Sequence, residues 1–306
     1  MPLRPPSLIR HALYGLLMGG ADIIPGVSGG TMALIVGIYE RLVGAISSAV
    51  SLGLALLRLD LEAARRHWTA VPWGLVLPLG AGIGVAIAVG ALVIPDLMAA
   101  YPEQMRGLFL GLVGASLLIP ALRIERLTLV RGLVGAGCAV AAFYLTGLPA
   151  LEEASAPGRL RVFLSAAVAI CAMILPGISG AFLLKALGIY EPTLQAIKTL
   201  LSLDLSALPY ILTFGVGAAV GLGAFAKLLD WLLTHRHDAT MAALVGLIAG
   251  ALRALWPYTG PGRALRLPGP DAPILPVVAL VVVGFAAVLG LLWWGRRSAE
   301  TAPSAP

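Results

Sequence analysis

Long uncharged runs separated by short charged segments dominate this chain. Six of the runs approach the roughly 20 residues that an α-helix needs to cross a bilayer. They predict crossings at about 72–94, 105–122, 132–150, 208–233, 239–257 and 274–295. The pattern therefore predicts an all-α integral membrane protein.

The composition supports this prediction and excludes other classes. Of the 306 residues, 59% are hydrophobic and 12% are charged, whereas soluble domains carry roughly 25% charged residues. A soluble domain of this size cannot bury so much apolar surface, and disorder requires a less hydrophobic chain. The two cysteines have no disulfide or metal-ligand spacing, and we expect no metal or cofactor.

The positive charges lie in short loops, so they indicate topology and not nucleic-acid binding. Basic residues occur in the N-terminal segment, in 58–67, 123–131 and 235–238, and in the C-terminal tail. All of these segments can lie on one side, which should be the cytoplasm. We therefore expect a bacterial cytoplasmic-membrane protein with both termini inside.

An internal repeat divides the chain. The segment 25–29, which reads PGVSG, recurs at 176–180 as PGISG, and GIYE at 37–40 recurs at 188–191. Both pairs share an offset of 151 residues, which predicts two repeats, 1–150 and 151–306. Three predicted crossings separate the copies, so the second copy should enter from the opposite side. Such an inverted-topology repeat occurs in many secondary transporters.

Proline and glycine interrupt a helix at the same place in each copy. We expect each break to lie at the tip of a re-entrant hairpin, at about 11–40 and 161–190. Irregular backbone at membrane depth is tolerated where protein or a water-filled cavity satisfies it. The alternative is two kinked helices whose serines satisfy the backbone. The sequence leaves open whether 41–57 and 192–204 lie at the interface or complete a crossing.

The hairpin tips are candidate anion sites. Free backbone N–H groups at the start of a helix, together with a serine hydroxyl, favour a bound anion. We expect the tips to meet near the midplane around one site. The candidate phosphate-binding residues are Gly26, Ser28, Gly29, Gly30, Thr31, Gly177, Ser179, Gly180 and Lys185.

Charged residues inside the predicted membrane region are candidates for coupling transport to an ion, because they are costly there. Asp22 precedes the first break, and Met173 occupies its place in the second copy. Lys185 likewise stands where the first copy has Leu34. The simpler alternatives are that Asp22 caps the following helix and that Lys185 extends to the membrane interface.

Three further charged residues have two readings each. Glu40 and Glu191 are repeated, and they either mark the two mouths of a pathway, with a role in proton or ion coupling, or pair with loop cations. Arg253 lies near the end of a predicted crossing. It is more simply explained by reaching the interface than by touching a phosphate.

The residues around both breaks resemble those of a known family. Segments 15–40 (GLLMGGADIIPGVSGGTMALIVGIYE) and 174–191 (ILPGISGAFLLKALGIYE) are similar to the bacterial PopT-type polyprenyl-phosphate translocases, long known as a domain of unknown function. The resemblance implies return of undecaprenyl phosphate, the lipid carrier of cell-wall precursors, from the outer to the cytoplasmic leaflet. Coupling to protons or sodium ions is compatible with it, and so is a homo-oligomer.

Two other functions remain open. Membrane undecaprenyl-pyrophosphate phosphatases also resemble this design, but their loop reads PG-x-S-R-S. Here Gly29 and Gly180 follow the serines, so the arginine that would stabilise developing charge is absent from both loops. Glycine-serine helix tips also suit chloride, which keeps a small-anion transporter or channel as a third possibility.

Overall fold

The computed structural model describes residues 7–23, 28–148, 157–175, 180–260 and 264–300. Over these residues the regular structure is helical. The described residues form no β-strand, apart from an isolated β-bridge between Thr259 and Leu265. Five described helices are long and apolar enough to span a membrane, and a sixth span results if α4 and α5, bent by 71°, are taken as one. The predicted fold class, an all-α multi-pass membrane protein, is confirmed.

Eight helices form the first half of the described chain. They are α1 (Ser7–Ile23), α2 (Gly29–Ile35), α3 (Tyr39–Leu57), α4 (Leu61–Ala70), α5 (Trp73–Ala100), α6 (Pro102–Ser116), α7 (Leu118–Ala121) and α8 (Leu129–Gly147).

The second half repeats this order with shorter connecting helices. Its helices are α9 (Arg159–Ile174), α10 (Gly180–Ala186), α11 (Tyr190–Leu201), α12 (Leu208–His235), α13 (His237–Ala251) and α14 (Ile274–Glu300). Helices α5 and α12 have 28 residues each, and α6 and α13 have 15 each. Three-residue and four-residue 3-10 turns, Leu205–Ala207 and Leu252–Leu255, take the places of α4 and α7.

The turns after the two short helices have the same backbone conformation. Gly37 has φ +75° and Gly188 has φ +67°. This left-handed conformation is open to glycine at little cost and terminates a helix. The repeated GIY segment therefore encodes the turn that ends α2 and α10.

Glycines also hold long helices together at matching places. Gly82 of α5 lies against the carbonyl of Ala12 in α1, and Gly217 of α12 lies against that of Phe163 in α9. A Cβ at either glycine would overlap the neighbouring backbone. The absence of a side chain thus permits the close helix contact that is common in membrane proteins.

The remaining long helices pair across the two halves. Gly111 of α6 lies against the carbonyl of Val281 in α14, and Gly246 of α13 lies against that of Gly135 in α8. A Cβ at Gly111 or Gly246 would overlap the facing backbone, so both glycines allow these helices to approach closely. Each half is completed by the last helix of the other half.

Helices α9 and α10 form a hairpin around the second break. The guanidinium of Arg161, in the first turn of α9, donates a hydrogen bond to the carbonyl of Leu187 over 2.7 Å. The chain therefore returns, after the break, towards the level at which α9 began. This contact is compatible with the expected hairpin; its re-entry into a membrane and the inverted orientation of the two repeats stay predictions.

Helix α3 runs alongside α12 in the opposite direction. Gly44 lies beside Asp230, and Val50 lies beside Gly223. Segment 41–57, for which the sequence left two locations open, therefore packs on a long apolar helix, and α3 itself is long enough to span a membrane. Its counterpart α11 has 12 residues.

Candidate functional site

Ser28 connects the two helix breaks. Its side chain is buried, caps α2 by accepting a hydrogen bond from the Thr31 N–H over 3.3 Å, and donates one to the carbonyl of Leu175 over 3.2 Å. Leu175 directly precedes the second break. Gly30 lies against the carbonyl of Ile174, which a Cβ would approach to 2.6 Å. The start of α2 therefore packs on the end of α9.

Asp22 places a carboxylate at the start of α2. The Gly29 N–H donates a hydrogen bond to Asp22 Oδ1 over 2.6 Å. Several free N–H groups were expected at this tip, and for Gly29 and Thr31 that expectation is wrong because Asp22 and Ser28 accept their hydrogen bonds. The partly buried Asp22 caps the helix, as the simpler alternative predicted.

The second repeat has the same contact with different chemistry. A Cβ on Gly29 would lie 2.8 Å from Asp22 Oδ2, and a Cβ on Gly180 would meet the side chain of Met173. These residues correspond in the repeat, so a thioether in one half replaces the carboxylate of the other. Gly26, Gly177 and Ser179 lie outside the described residues.

Lys185 lies near the end of α10, away from the break. It is exposed, whereas its counterpart Leu34 is buried. Lys185 lies five positions after Gly180, which along a helix axis is about 7.5 Å. The neighbouring Leu183 belongs to a buried cluster against which Leu145 of α8 also packs. No contact within the described residues joins Lys185 to Ser28.

Glu40 belongs to an ion-pair cluster formed with Arg123, Arg131, His237 and Asp238. Arg123 lies 2.6 Å from Glu40, Arg131 lies 2.6 Å from Asp238, and His237 lies between the two carboxylates at 3.6 and 3.8 Å. Glu40 thus pairs with a loop cation, one of its two predicted roles.

Asp238 also fixes the backbone of the loop before α8. It accepts hydrogen bonds from the N–H groups of Glu125 and Arg126 over 3.2 and 3.3 Å. Sequence reasoning missed Asp238 and His237 as members of the cluster. The available signal was an acidic residue at the start of a predicted crossing, beside a loop rich in arginine on the same side.

The opposite end of the repeat has a different set of contacts. Glu103, the second residue of α6, corresponds to Asp238, the second residue of α13. Arg106 in the same turn donates a hydrogen bond to the Thr259 hydroxyl over 2.5 Å. Glu191 is exposed, and no ion pair involves it within the described residues. The ionic cluster is thus confined to one end.

Comparisons with known proteins match most of the chain. The family model described as "VCA0040-like: Undecaprenyl phosphate translocase-like" matches residues 18–264. A polyprenyl-phosphate transporter of Vibrio cholerae is 38% identical over 250 residues, covering 80% of this chain and 77% of that protein. A polyprenyl-phosphate transporter of Staphylococcus aureus is 30% identical over 306 residues, covering 95% and 97%.

The chain has no significant match among solved structures. The residues that the family model matches include the first break, Ser28, Leu175 and the residues of the ion-pair cluster. It confirms the resemblance that the residues around the two breaks indicated. The chain belongs to the undecaprenyl phosphate translocase-like family.

Proposed function

We propose that this protein flips undecaprenyl phosphate across the bacterial cytoplasmic membrane, returning the lipid carrier to the cytoplasmic leaflet. The observation that carries the proposal is the junction of the two helix breaks through Ser28 and Leu175, in a chain whose relatives are named polyprenyl-phosphate transporters. Paired broken helices at a repeat interface form the substrate sites of many secondary transporters.

The phosphate binds at the junction of the two tips while the polyprenyl tail stays in lipid. Ser28 offers a hydroxyl, and glycines on both sides allow the headgroup close to the backbone. The proposed phosphate-binding residues are Gly26, Ser28, Gly29, Gly30 and Thr31 from the first repeat, and Gly177, Ser179 and Gly180 from the second. Lys185 offsets the charge of the phosphate as it passes the end of α10.

Asp22 couples this binding to a proton. Its carboxylate already accepts the Gly29 N–H bond, so an arriving phosphate would meet a like charge on the same donor. Protonation of Asp22 removes that charge and weakens its hold on Gly29. The carboxylate therefore substitutes for the substrate when the site is empty.

The pathway opens to each side in turn. The positive-inside rule assigns the ion-pair cluster and both chain termini to the cytoplasm. Glu40 contacts Arg123 in the loop after α7 and His237 at the start of α13, and so connects the end of the first hairpin to both. Release of these contacts opens the cytoplasmic mouth. Glu191 occupies the corresponding place at the other mouth.

Liposomes that contain undecaprenyl phosphate test the proposal. An impermeant phosphatase added outside hydrolyses only the outer-leaflet phosphate, so hydrolysis stops near one half unless the lipid flips. We expect the purified protein to carry hydrolysis towards completion. Hydrolysis that stops at one half with the protein present would refute translocation under these conditions.

Two parallel assays address the other functions. Phosphate release from undecaprenyl pyrophosphate by the protein alone would indicate a membrane phosphatase. Chloride flux without lipid movement would indicate a small-anion pathway. Lipid movement with neither signal supports the translocase.

A further inference from the structure

Arg253 lies in an unusual environment at the end of α13. Its Nη1 donates a hydrogen bond to the carbonyl of Phe143 over 3.3 Å, and its guanidinium carbon lies 4.5 Å from the centre of the Phe143 ring. A Cβ on Gly147 would overlap the guanidinium. The guanidinium is therefore packed against the last turns of α8.

The charge of Arg253 is not neutralised within the described residues. No carboxylate there pairs with it, and its buried Nε–H has no hydrogen-bond partner. By contrast, Arg123 and Arg131 at the other end of the protein each contact a carboxylate at 2.6 Å. A guanidinium fixed in place without an anion is suited to bind one through its planar fork of donors.

The repeat shows that this cation is a departure from a leucine. Counted from the first residues of α6 and α13, Leu118 occupies the position of Arg253. Lys185 departs in the same way from Leu34. Both substitutions lie near the last turns of α8: Leu145 packs against a cluster that contains Leu183, two positions before Lys185, and Arg253 contacts Phe143 and Gly147.

This segment lies at the end of the protein opposite the ion-pair cluster. Helix α8 begins at Leu129, beside Arg131 and Asp238, and ends at Gly147, beside Arg253. Phe143 and Tyr144 are exposed there, and aromatic side chains at this level suit contact with lipid. A headgroup that arrives from the outer leaflet would meet Arg253 before it reached the helix breaks.

We propose that Arg253, supported by Lys185, forms an entry site for a phosphomonoester lipid headgroup at the outer mouth. The inference rests on the proposed function and adds a residue and a location to it. Arg253 binds the phosphate oxygens, and the exposed aromatic residues contact the first part of the tail. The headgroup then passes to the tips of the hairpins.

Binding of farnesyl phosphate to the purified full-length protein tests the site. We expect Arg253→Gln to weaken binding about tenfold or more, because it removes charge-assisted hydrogen bonds, and Arg253→Lys to weaken it less. Gly147→Ala keeps the charge but displaces the guanidinium, so it should also weaken binding. Arg66→Gln, an exposed arginine on α4, is the matched control and should bind as the wild type does.

The outcomes separate this site from its alternatives. Unchanged binding by folded Arg253→Gln protein, or an equal loss in Arg66→Gln, would overturn the inference and leave Arg253 as a cap of α8. Inorganic phosphate serves as the competitor. If it displaces farnesyl phosphate at an equal concentration, the site binds free phosphate, and the assignment to a lipid headgroup is overturned. Wild-type flipping, measured separately in liposomes, reports on the proposed function whatever these variants do.

Discussion

The Ser28 hydroxyl and the Leu175 carbonyl, 147 positions apart in the chain, are joined by a 3.2 Å hydrogen bond. Because Leu175 precedes one helix break and Ser28 follows the other, the bond joins the interrupted backbones of the two repeats. If one hairpin moves relative to the other, this hydrogen bond must open; if the bond holds, the two interrupted segments move together. The junction is therefore a natural place for substrate binding to act on conformation.

Removing the Ser28 hydroxyl should affect both stability and transport. Ser28→Ala loses the cap of α2 and leaves the Leu175 carbonyl without this donor, which we expect to lower the free energy of unfolding by about 1–2 kcal/mol. Thermal unfolding in detergent and lipid flipping measure the two effects. Ser51→Ala, which removes a local bond to Ser47 within α3, should leave both unchanged; equal behaviour of the two variants would contradict the role of the junction.

Asp22→Asn should separate the cap from the charge. The amide oxygen can still accept the Gly29 N–H bond, so we expect normal expression and folding. Without a group that titrates, flipping should be strongly reduced and should lose its dependence on pH, whereas the wild-type rate should rise as the pH falls. A wild-type rate and pH profile in Asp22→Asn would exclude Asp22 as the coupling group.

Close contact at the junction predicts different effects of alanine at three glycines. Gly30→Ala places a Cβ 2.6 Å from the Ile174 carbonyl, and Gly29→Ala places one 2.8 Å from the Asp22 carboxylate. Gly30→Ala should be the more damaging because backbone yields less than a side chain. Gly20→Ala has open space in α1 and should be neutral or stabilise by up to about 1 kcal/mol. Expression level and thermal unfolding rank the three.

Lys185→Ala should reduce flipping without unfolding the protein, since the side chain is exposed. Lys185→Arg keeps the positive charge and should retain most activity. Lys198→Ala, in the last turn of α11, serves as a control for loss of a cation elsewhere in the second repeat. Full activity of Lys185→Ala would remove this residue from the proposed path.

The ion-pair cluster predicts a stability difference between two acidic residues. Asp238→Asn weakens the contact with Arg131 and replaces one of the two oxygens that accept backbone N–H groups with an NH2 group, so it should lower the melting temperature measurably. Glu62→Gln affects an exposed pair at 3.7 Å, and such pairs contribute little. A melting temperature equally insensitive to both changes would show that the cluster does not stabilise this conformation.

The sequence predicted the features that depend on local pattern. The described helices lie where the apolar runs predicted helices, and they are interrupted where the repeated proline-glycine segments predicted breaks. That these helices cross a membrane at the predicted bounds stays a prediction. The capping of Gly29 by Asp22 was foreseen as one of two alternatives, because an acidic side chain near the start of a helix can accept the free N–H groups there.

Features that depend on which helix meets which could not be predicted. Small-residue spacing at Gly111 and Gly246 indicates a packing surface but does not specify its partner, so the pairing of α6 with α14 was not foreseen. The orientation of Arg253 was also inaccessible, because its contact with Phe143 depends on α8 lying beside α13. Long-range pairing decides these positions, and a single sequence does not display it.

The exchange of last helices has a consequence for biosynthesis. Helix α8 ends at Gly147, but α13, on which it packs, begins at His237. Likewise α6 packs on α14, which is synthesised last of the described helices. During translation the first repeat therefore enters the membrane with a glycine-lined surface that lacks its partner, and lipid or the insertion machinery must cover that surface meanwhile. Each half therefore completes its helix packing only when the last helix of the other half is in place.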